Sequence, residues 1–148
     1  MQNDAWMTKI ISKILGVKRV SKSEGRDSLE YVALTRKGLN KKNLVSLANT
    51  MNLSLKEISE ILPVSERTLQ RYKPGQQLDK KTSEQILEIA RLYSEGFKVF
   101  NNHDLFKQWM EYANSALGNV KPIDLLDTSF GIELLIDELG KIQYGIFA

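Results

Sequence analysis

The stretch LKEISEILPVSERTLQRY, residues 55–72, decides the fold of this 148-residue chain. Apolar residues recur every three to four positions before and after Pro63, which predicts two short helices separated by a tight turn. Ser65 is a residue type that caps helix starts, so the second helix is expected to begin just after it. With Ile58 facing the second helix and Leu69 facing back, the pattern predicts the steep packing of a helix-turn-helix.

The outward face of the second predicted helix carries side chains suited to DNA. Arginine and glutamine match the edges of guanine and adenine in a major groove, and hydroxyl groups match phosphates. The predicted DNA-binding residues are Ser65, Arg67, Thr68, Gln70 and Arg71. Pro63 stands where this motif commonly has glycine and cannot supply left-handed backbone geometry, so the turn is expected to differ from the usual one. Two helices of an ordinary bundle with solvated polar side chains remain the alternative interpretation.

Helical periodicity continues along almost the whole chain, and no alternating run of β-branched residues indicates a strand, so we predict an all-α fold. Residues 1–28 are predicted to form an amphipathic helix and a flexible linker. Residues 29–78 are predicted as the helix-turn-helix domain, which a long helix starting after Asp79 joins to a small helical domain within residues 79–148. Further helix starts are predicted at Asn40, at Ser54, at Asn102 or Asp104, and at Thr128.

The composition narrows the classes of function. The chain has no cysteine and one histidine, His103, so neither a disulfide framework nor a histidine metal site is predicted. No apolar run approaches the roughly 20 residues that cross a bilayer, and the N-terminus lacks the separated regions of a secretory signal, so we expect a cytoplasmic protein without a membrane partner. No nucleophile has an evident base and no glycine loop is built to hold a phosphate, so we predict neither enzyme activity nor a cofactor.

Charge is divided unevenly along the chain. Residues 1–73 contain fourteen Lys and Arg against seven Asp and Glu, a formal charge of +7, whereas residues 74–148 contain seven against eleven, or −4. A basic half attracts a polyanion such as DNA, and an acidic, apolar half is typical of a protein-binding or core-forming unit.

The chain ends in an apolar segment, NVKPIDLLDTSFGIELLIDELGKIQYGIFA, residues 119–148. Gly140 and Gly145 flank KIQY, and they are expected to interrupt the last helix and to permit an extended or kinked tail. Exposed apolar surface costs about 25 cal/mol per Å², so this tail needs cover from its own chain or from a partner. The apolar stripe predicted to face the core of the last helix is Ile132, Leu135, Ile136, Leu139 and Ile142.

The order of these motifs resembles the Xre/MbcA/ParS family of antitoxins over about residues 29–148. The resemblance rests on SERTLQR (65–71), on ALGNVKPIDLLDT (116–128) and on the terminal YGIFA (144–148). It implies an all-helical, usually dimeric antitoxin that neutralises a toxin of the RES-domain type, which degrades NAD. It also implies that the protein binds operator DNA and represses its own operon.

The resemblance implies a role for the apolar tail, because in this family the C-terminal segment packs at the substrate entrance of the toxin. The domain at residues 79–148 is then the toxin-binding domain. Lys141, where relatives often carry arginine, would place a cation where the NAD phosphates bind, although it lacks the planar fork of arginine. The implied toxin-binding residues are Lys141, Ile142, Tyr144, Gly145, Ile146 and Phe147.

Other functions fit the same residues. The chain is also typical of a helix-turn-helix transcriptional repressor whose C-terminal half only dimerises. A chromosome-partition or phage regulator shares the helix-turn-helix and stays open as a third interpretation. These alternatives differ from the antitoxin in lacking a toxin partner.

Overall fold

The computed structural model describes residues 2–17 and 27–145, and this part of the chain is helical without a β-strand. Its contacts divide the chain into a first unit, residues 1–91, and a second unit, residues 92–148. The all-α prediction, with a helix-turn-helix bundle joined by a long helix to a small helical domain, is confirmed. The helices are α1 (Gln2–Leu15), α2 (Asp27–Lys37), α3 (Lys41–Met51), α4 (Leu55–Ile61), α5 (Glu66–Arg71), α6 (Lys80–Phe100), α7 (His103–Glu111) and α8 (Ser129–Gln143).

The helix starts in the first unit follow local polar side chains. The Asn40 carboxamide accepts the backbone N–H of Asn43 at 3.0 Å, and the Asn43 carboxamide accepts the Asn40 N–H at 2.9 Å. Ser54 and Glu57 make the same reciprocal pair at the start of α4, both at 3.1 Å. Because the carboxylate of Glu57 accepts hydrogen bonds from the backbone and hydroxyl of Ser54, its pKa is lowered. The predicted caps at Asn40 and Ser54 are confirmed.

The later helices start in the same way. The side-chain oxygens of Asp79, Asn102 and Thr128 each accept the backbone N–H three residues on, at 3.0 Å. Asn102, rather than Asp104, therefore caps α7. Between α7 and α8, Pro122 occupies the first position of a short 3₁₀ helix, where its missing N–H costs nothing.

Helix α1 packs on α3 of its own chain. The Asn43 side-chain amide donates to the carbonyl of Leu15 at 2.9 Å, and the Ser46 hydroxyl donates to the carbonyl of Ile14 at 2.6 Å. These bonds satisfy carbonyls that the end of a helix leaves without intrahelical partners. Gly16 then ends α1 with φ +65°. The side chains that α1 buries are Ile11, Ile14 and Leu15.

The first unit extends into α6. The hydroxyl of Ser83 accepts the backbone N–H of Leu39 at 2.9 Å in a buried position, and Leu78 N–H donates to the Leu39 carbonyl at 2.7 Å. The unit therefore includes the predicted domain 29–78 together with α1 and the first part of α6. Its fully buried side chains include Leu44, Leu47, Ile58, Leu69, Ile86 and Ile89.

The second unit is built around aromatic rings. Tyr93 meets Phe106 edge to face with centroids 5.1 Å apart, and Phe97 meets both rings in the same way. Gly96 lies directly against the Phe106 ring, so that a side chain there would collide with it. Burial raises the pKa of the Tyr93 hydroxyl. Trp109 is half-buried and lies parallel to Phe106, which places it at the edge of this cluster.

Helix α8 makes one close approach to the short 3₁₀ helix that precedes it, Pro122–Leu125. A side chain at Gly131 would collide with the backbone carbonyl of Leu125, in the short 3₁₀ helix, so only glycine fits. The buried residues of the predicted stripe are Ile132, Leu135 and Leu139, whereas Ile136 and Ile142 are half-buried. The expected interruption at Gly140 is wrong, because α8 continues to Gln143. One internal glycine costs about 1 kcal/mol relative to alanine, too little to end a helix that buries Leu139.

We expect the Gly131→Ala variant to lower the free energy of unfolding by about 1–3 kcal/mol, because a backbone carbonyl cannot turn away from the added methyl group. Gly140→Ala is the matched control on the same helix, since nothing lies within 4 Å of the added carbon. It should leave stability unchanged or raise it by up to about 1 kcal/mol. Urea unfolding followed by circular dichroism measures both. Equal effects of the two substitutions would contradict the close approach at Gly131.

Candidate functional site

The turn between α4 and α5 accommodates proline. Leu62 and Ser65, which bracket it, are extended, with ψ of 154° and 155°. No residue from Leu62 to Ser65 has a positive φ, so the left-handed geometry that favours glycine is not required at Pro63. Leu62 is buried beneath the turn, and Leu69 anchors α5 with no exposed surface. The turn therefore differs from the usual one in that its backbone needs no glycine.

The five predicted DNA-binding residues come together on α5 and its cap. The Ser65 hydroxyl accepts the backbone N–H of Thr68 at 3.1 Å and donates to the Thr68 hydroxyl at 2.9 Å, so this pair holds the start of the helix. Arg67, Gln70 and Arg71 are exposed. Their spacing places them on one face, since residues three and four apart are neighbours on a helix. This face is opposite the buried Leu69, so the three polar side chains point to solvent.

Two contacts position α5 on the rest of the first unit. The Lys41 ammonium donates to the carbonyl of Tyr72, just after α5, at 3.0 Å. The backbone N–H of Lys42 donates to the carbonyl of Pro74 at 3.1 Å. The end of α5 is thereby tied to the start of α3. On the outward face, Gln70 donates to the Glu66 carboxylate at 3.2 Å, which orients its amide.

The two units carry opposite charge. The first unit has seventeen Lys and Arg against ten Asp and Glu, or +7, and the second has four against eight, or −4. The exposed arginines of α5 therefore belong to a unit that attracts phosphates, while the second unit repels them.

The predicted toxin-binding residues begin within the last turn of α8. Lys141 is exposed, and its ammonium lies 3.6 Å from the carboxylate of Glu138, one turn back. The Glu138 side chain is only 13% exposed, whereas the Lys141 side chain is 47% exposed, so the lysine keeps surface that a partner can contact. Ile142 is half-buried, whereas Tyr144 is 75% exposed at the end of the helix.

The final predicted residues follow a sharp turn. Gly145 has φ +68°, a left-handed conformation that ends α8 at little cost for glycine. Ile146 and Phe147 lie outside the described residues, so their predicted contacts with a partner stay predictions.

Sequence reasoning missed two exposed apolar residues on α8. Phe130 is 85% exposed, the largest fraction among the large apolar side chains of the described part, and Leu134 is 46% exposed. Both share the outward face with Lys141 and Tyr144 by helical spacing. The sequence does contain a signal for this pair. Phe130 and Leu134 are four residues apart and lie outside the apolar stripe that packs in the core.

A groove of about 340 Å³ lies between α2 and α6 within the first unit. Here the Arg91 guanidinium lies 5.7 Å from the centre of the Tyr31 ring. The groove carries both signs of charge, with Arg36 and Lys80 against Glu84. Its apolar lining includes Val32.

The part of the chain that the structure describes meets neither the requirements of a metal site nor those of a membrane-spanning helix. Within residues 2–17 and 27–145, no three His, Cys, Asp or Glu side chains are grouped so that they could hold a metal ion. Over the same residues, every helix is too short or too polar to span a bilayer.

The matches to known protein families divide the chain at the same place as the two structural units. Residues 30–91 match the antitoxin Xre-like helix-turn-helix domain, and residues 95–145 match the antitoxin Xre/MbcA/ParS C-terminal toxin-binding domain. The chain is also similar to the Prs ADP-ribosylating antitoxin of Sphingobium sp. (strain YBL2). The two are 25% identical over 130 residues, which cover 81% of this chain and 82% of the relative.

Proposed function

Because the chain belongs to the Xre/MbcA/ParS family of antitoxins, whose two domains it carries in order, we propose that it neutralises a cognate toxin of the RES type and represses its own operon. The observation that carries the proposal is the exposed apolar surface of α8. This helix lies in the match to the toxin-binding domain, presents apolar side chains to solvent and leads into an apolar end. Exposed apolar surface of this kind marks a protein-binding site.

Neutralisation follows from covering the active site of the toxin. Tyr144, Ile146 and Phe147 supply apolar and aromatic groups that fill a cleft, as buried aromatic residues do at the centre of protein interfaces. Lys141 brings a cation to the place that the NAD phosphates would occupy. The segment therefore competes with NAD for the substrate entrance.

The name of the relative points to a second reaction that consumes NAD. Its name contains the words ADP-ribosylating, and a transferase of this type takes ADP-ribose from NAD. Degradation of NAD and transfer of ADP-ribose both require that NAD enter the same cleft. A segment that covers this cleft blocks either reaction, so the proposed mechanism holds for both.

Autoregulation rests on α5. Its exposed face carries Arg67, Gln70 and Arg71 in a unit of charge +7, which suits the edges of bases and the phosphates of a major groove. Helix-turn-helix proteins commonly read two half-sites as dimers, so we propose a homodimer. We place the interface of this homodimer at the groove between α2 and α6, where both signs of charge are present to pair with those of a second copy.

The protein acts in this proposal by binding alone, without catalysis or a cofactor, in the cytoplasm where NAD and the operator are found. The competing function, a repressor whose C-terminal half only dimerises, requires the exposed face of α8 to meet a second copy of the chain instead of a toxin.

Co-expression with the adjacent gene tests the function as a whole. We expect the neighbouring product to be an NAD-consuming enzyme that arrests growth when produced alone, and to co-purify with this chain when both are present. The measurement is growth together with the cellular NAD content. Unimpaired growth without the antitoxin, or an empty co-purification, would favour the simple repressor.

Removal of residues 144–148 tests the role of the tail, because it leaves α8 intact to Gln143. We expect this variant to fold normally and to lose neutralisation. Tyr144→Ala should weaken toxin binding by about 2 kcal/mol, roughly 30-fold. Tyr112→Ala is the matched control, since Tyr112 is 68% exposed and also follows the end of a helix in the second unit. Calorimetric titration measures both, and full protection by the shortened chain would refute the tail model.

The role of α5 in DNA binding is tested by Arg67→Ala and Arg71→Ala. Each should weaken binding to the promoter of the operon by about 1–3 kcal/mol if the arginine contacts a guanine through two hydrogen bonds. Lys81→Ala removes the same charge from α6 and serves as the control for general electrostatic attraction. Fluorescence anisotropy at fixed salt gives the affinities. If Arg67→Ala and Arg71→Ala lose no more affinity for the promoter than Lys81→Ala does, α5 is an ordinary bundle helix.

A further inference from the structure

The outward face of α8 forms a longer surface than the tail that the sequence predicts. Phe130, Leu134, Lys141 and Tyr144 recur at helical spacing along this face. At 1.5 Å per residue, the distance from the first to the last of them is roughly 20 Å. The exposed apolar surface therefore begins at the opposite end of the helix from the tail.

This exposure is fixed by the packing of the helix. Gly131, next to Phe130, lies against the carbonyl of Leu125, where a side chain does not fit. Rotation of α8 that would bury Phe130 must therefore displace that contact. It would also expose Ile132 and Leu135, which are fully buried. Phe130 consequently points to solvent because the opposite face is committed to the core.

We propose that the face of α8 from Phe130 to Tyr144 is one continuous docking surface for the toxin, in which Phe130 and Leu134 supply affinity and the segment after Lys141 supplies inhibition. The proposal rests on the proposed function and adds to it a second, separable part of the interface. It assigns a role to the two residues that the tail model leaves without one.

The chemistry of the face selects a protein partner. Glu133 and Asp137 are exposed beside the apolar positions, in a unit of charge −4, which disfavours nucleic acid. The complementary surface is an apolar groove whose rim carries cations opposite Glu133 and Asp137. The helix also lies within residues 95–145, the match to the toxin-binding domain. We therefore assign the face to the toxin and not to a second copy of this chain.

A rigid helix face suits affinity better than a tail does. Side chains on α8 are already positioned by the fold, so docking them costs little ordering, whereas ordering a chain end opposes binding. Once Phe130 and Leu134 are docked, the tail is held at high effective concentration beside the toxin entrance. The division predicts that loss of the tail abolishes protection even when the toxin is saturated with antitoxin, whereas loss of Phe130 only raises the concentration that protection needs.

The test compares toxin binding with neutralisation for the full chain and three variants. Phe130→Ala should raise the dissociation constant for the toxin by ten- to one-hundred-fold and require correspondingly more antitoxin for protection. Leu134→Ala should act in the same direction, more weakly. Leu105→Ala is the matched control, because Leu105 is 49% exposed on α7 against 46% for Leu134, and it should bind like the unmodified chain. The chain without residues 144–148 should still bind the toxin, more weakly because Tyr144 is lost, and should fail to protect even at saturating concentration.

The outcomes separate this inference from the proposed function. If the unmodified chain does not bind the toxin, both are overturned. If it binds and Phe130→Ala binds equally well, only the docking surface is overturned. If Phe130→Ala converts a dimer of the isolated chain to a monomer in analytical ultracentrifugation without changing toxin affinity, the face belongs to a second copy and the inference fails. Unfolding curves of each variant confirm that the fold is kept, as exposure of Phe130 predicts.

Discussion

The contact between Gly131 and the backbone carbonyl of Leu125 is the constraint on which the C-terminal unit depends. Since no side chain fits between them, only glycine at this position lets α8 lie against the short 3₁₀ helix in the observed rotation. That rotation sends Ile132, Leu135 and Leu139 inward and leaves the opposite face, with its aromatic residues, to solvent. The core of the unit and the surface that it offers to a partner thus follow from the same packing arrangement.

In the N-terminal unit, the candidate functional surface is the exposed face of α5, and several contacts hold this helix in place. Leu69 anchors α5 from below, Ser65 caps its start, and Lys41 holds the carbonyl that follows its end. A six-residue helix is too short to be stable alone, so these contacts replace the stability that length would give. They leave one face for arginine and glutamine. The two units then divide the charge of the chain between them, with phosphate attraction confined to the first.

Local signals predicted most of the fold. Caps such as Asn40, Ser54 and Thr128 were predictable because a short polar side chain bonds to an amide three residues away, whatever the rest of the chain does. Gly140 was misjudged because packing of Leu139 outweighs a small helix propensity. Phe130 was missed because periodicity identified the stripe that faces the core and gave no role to the apolar residues outside it. The docking of α1 depends on the polar Asn43 and Ser46, which carry no apolar signal.

The hydrogen bonds from Asn43 and Ser46 to the end of α1 bear on where this domain starts. The family match begins at residue 30, yet α1 buries three apolar side chains and is held by α3. A fragment trimmed to the match would strip that cover and return apolar surface of α3 to water. The N-terminal helix is therefore part of the folding unit of the first domain, and the family match alone draws the boundary of that domain too tightly.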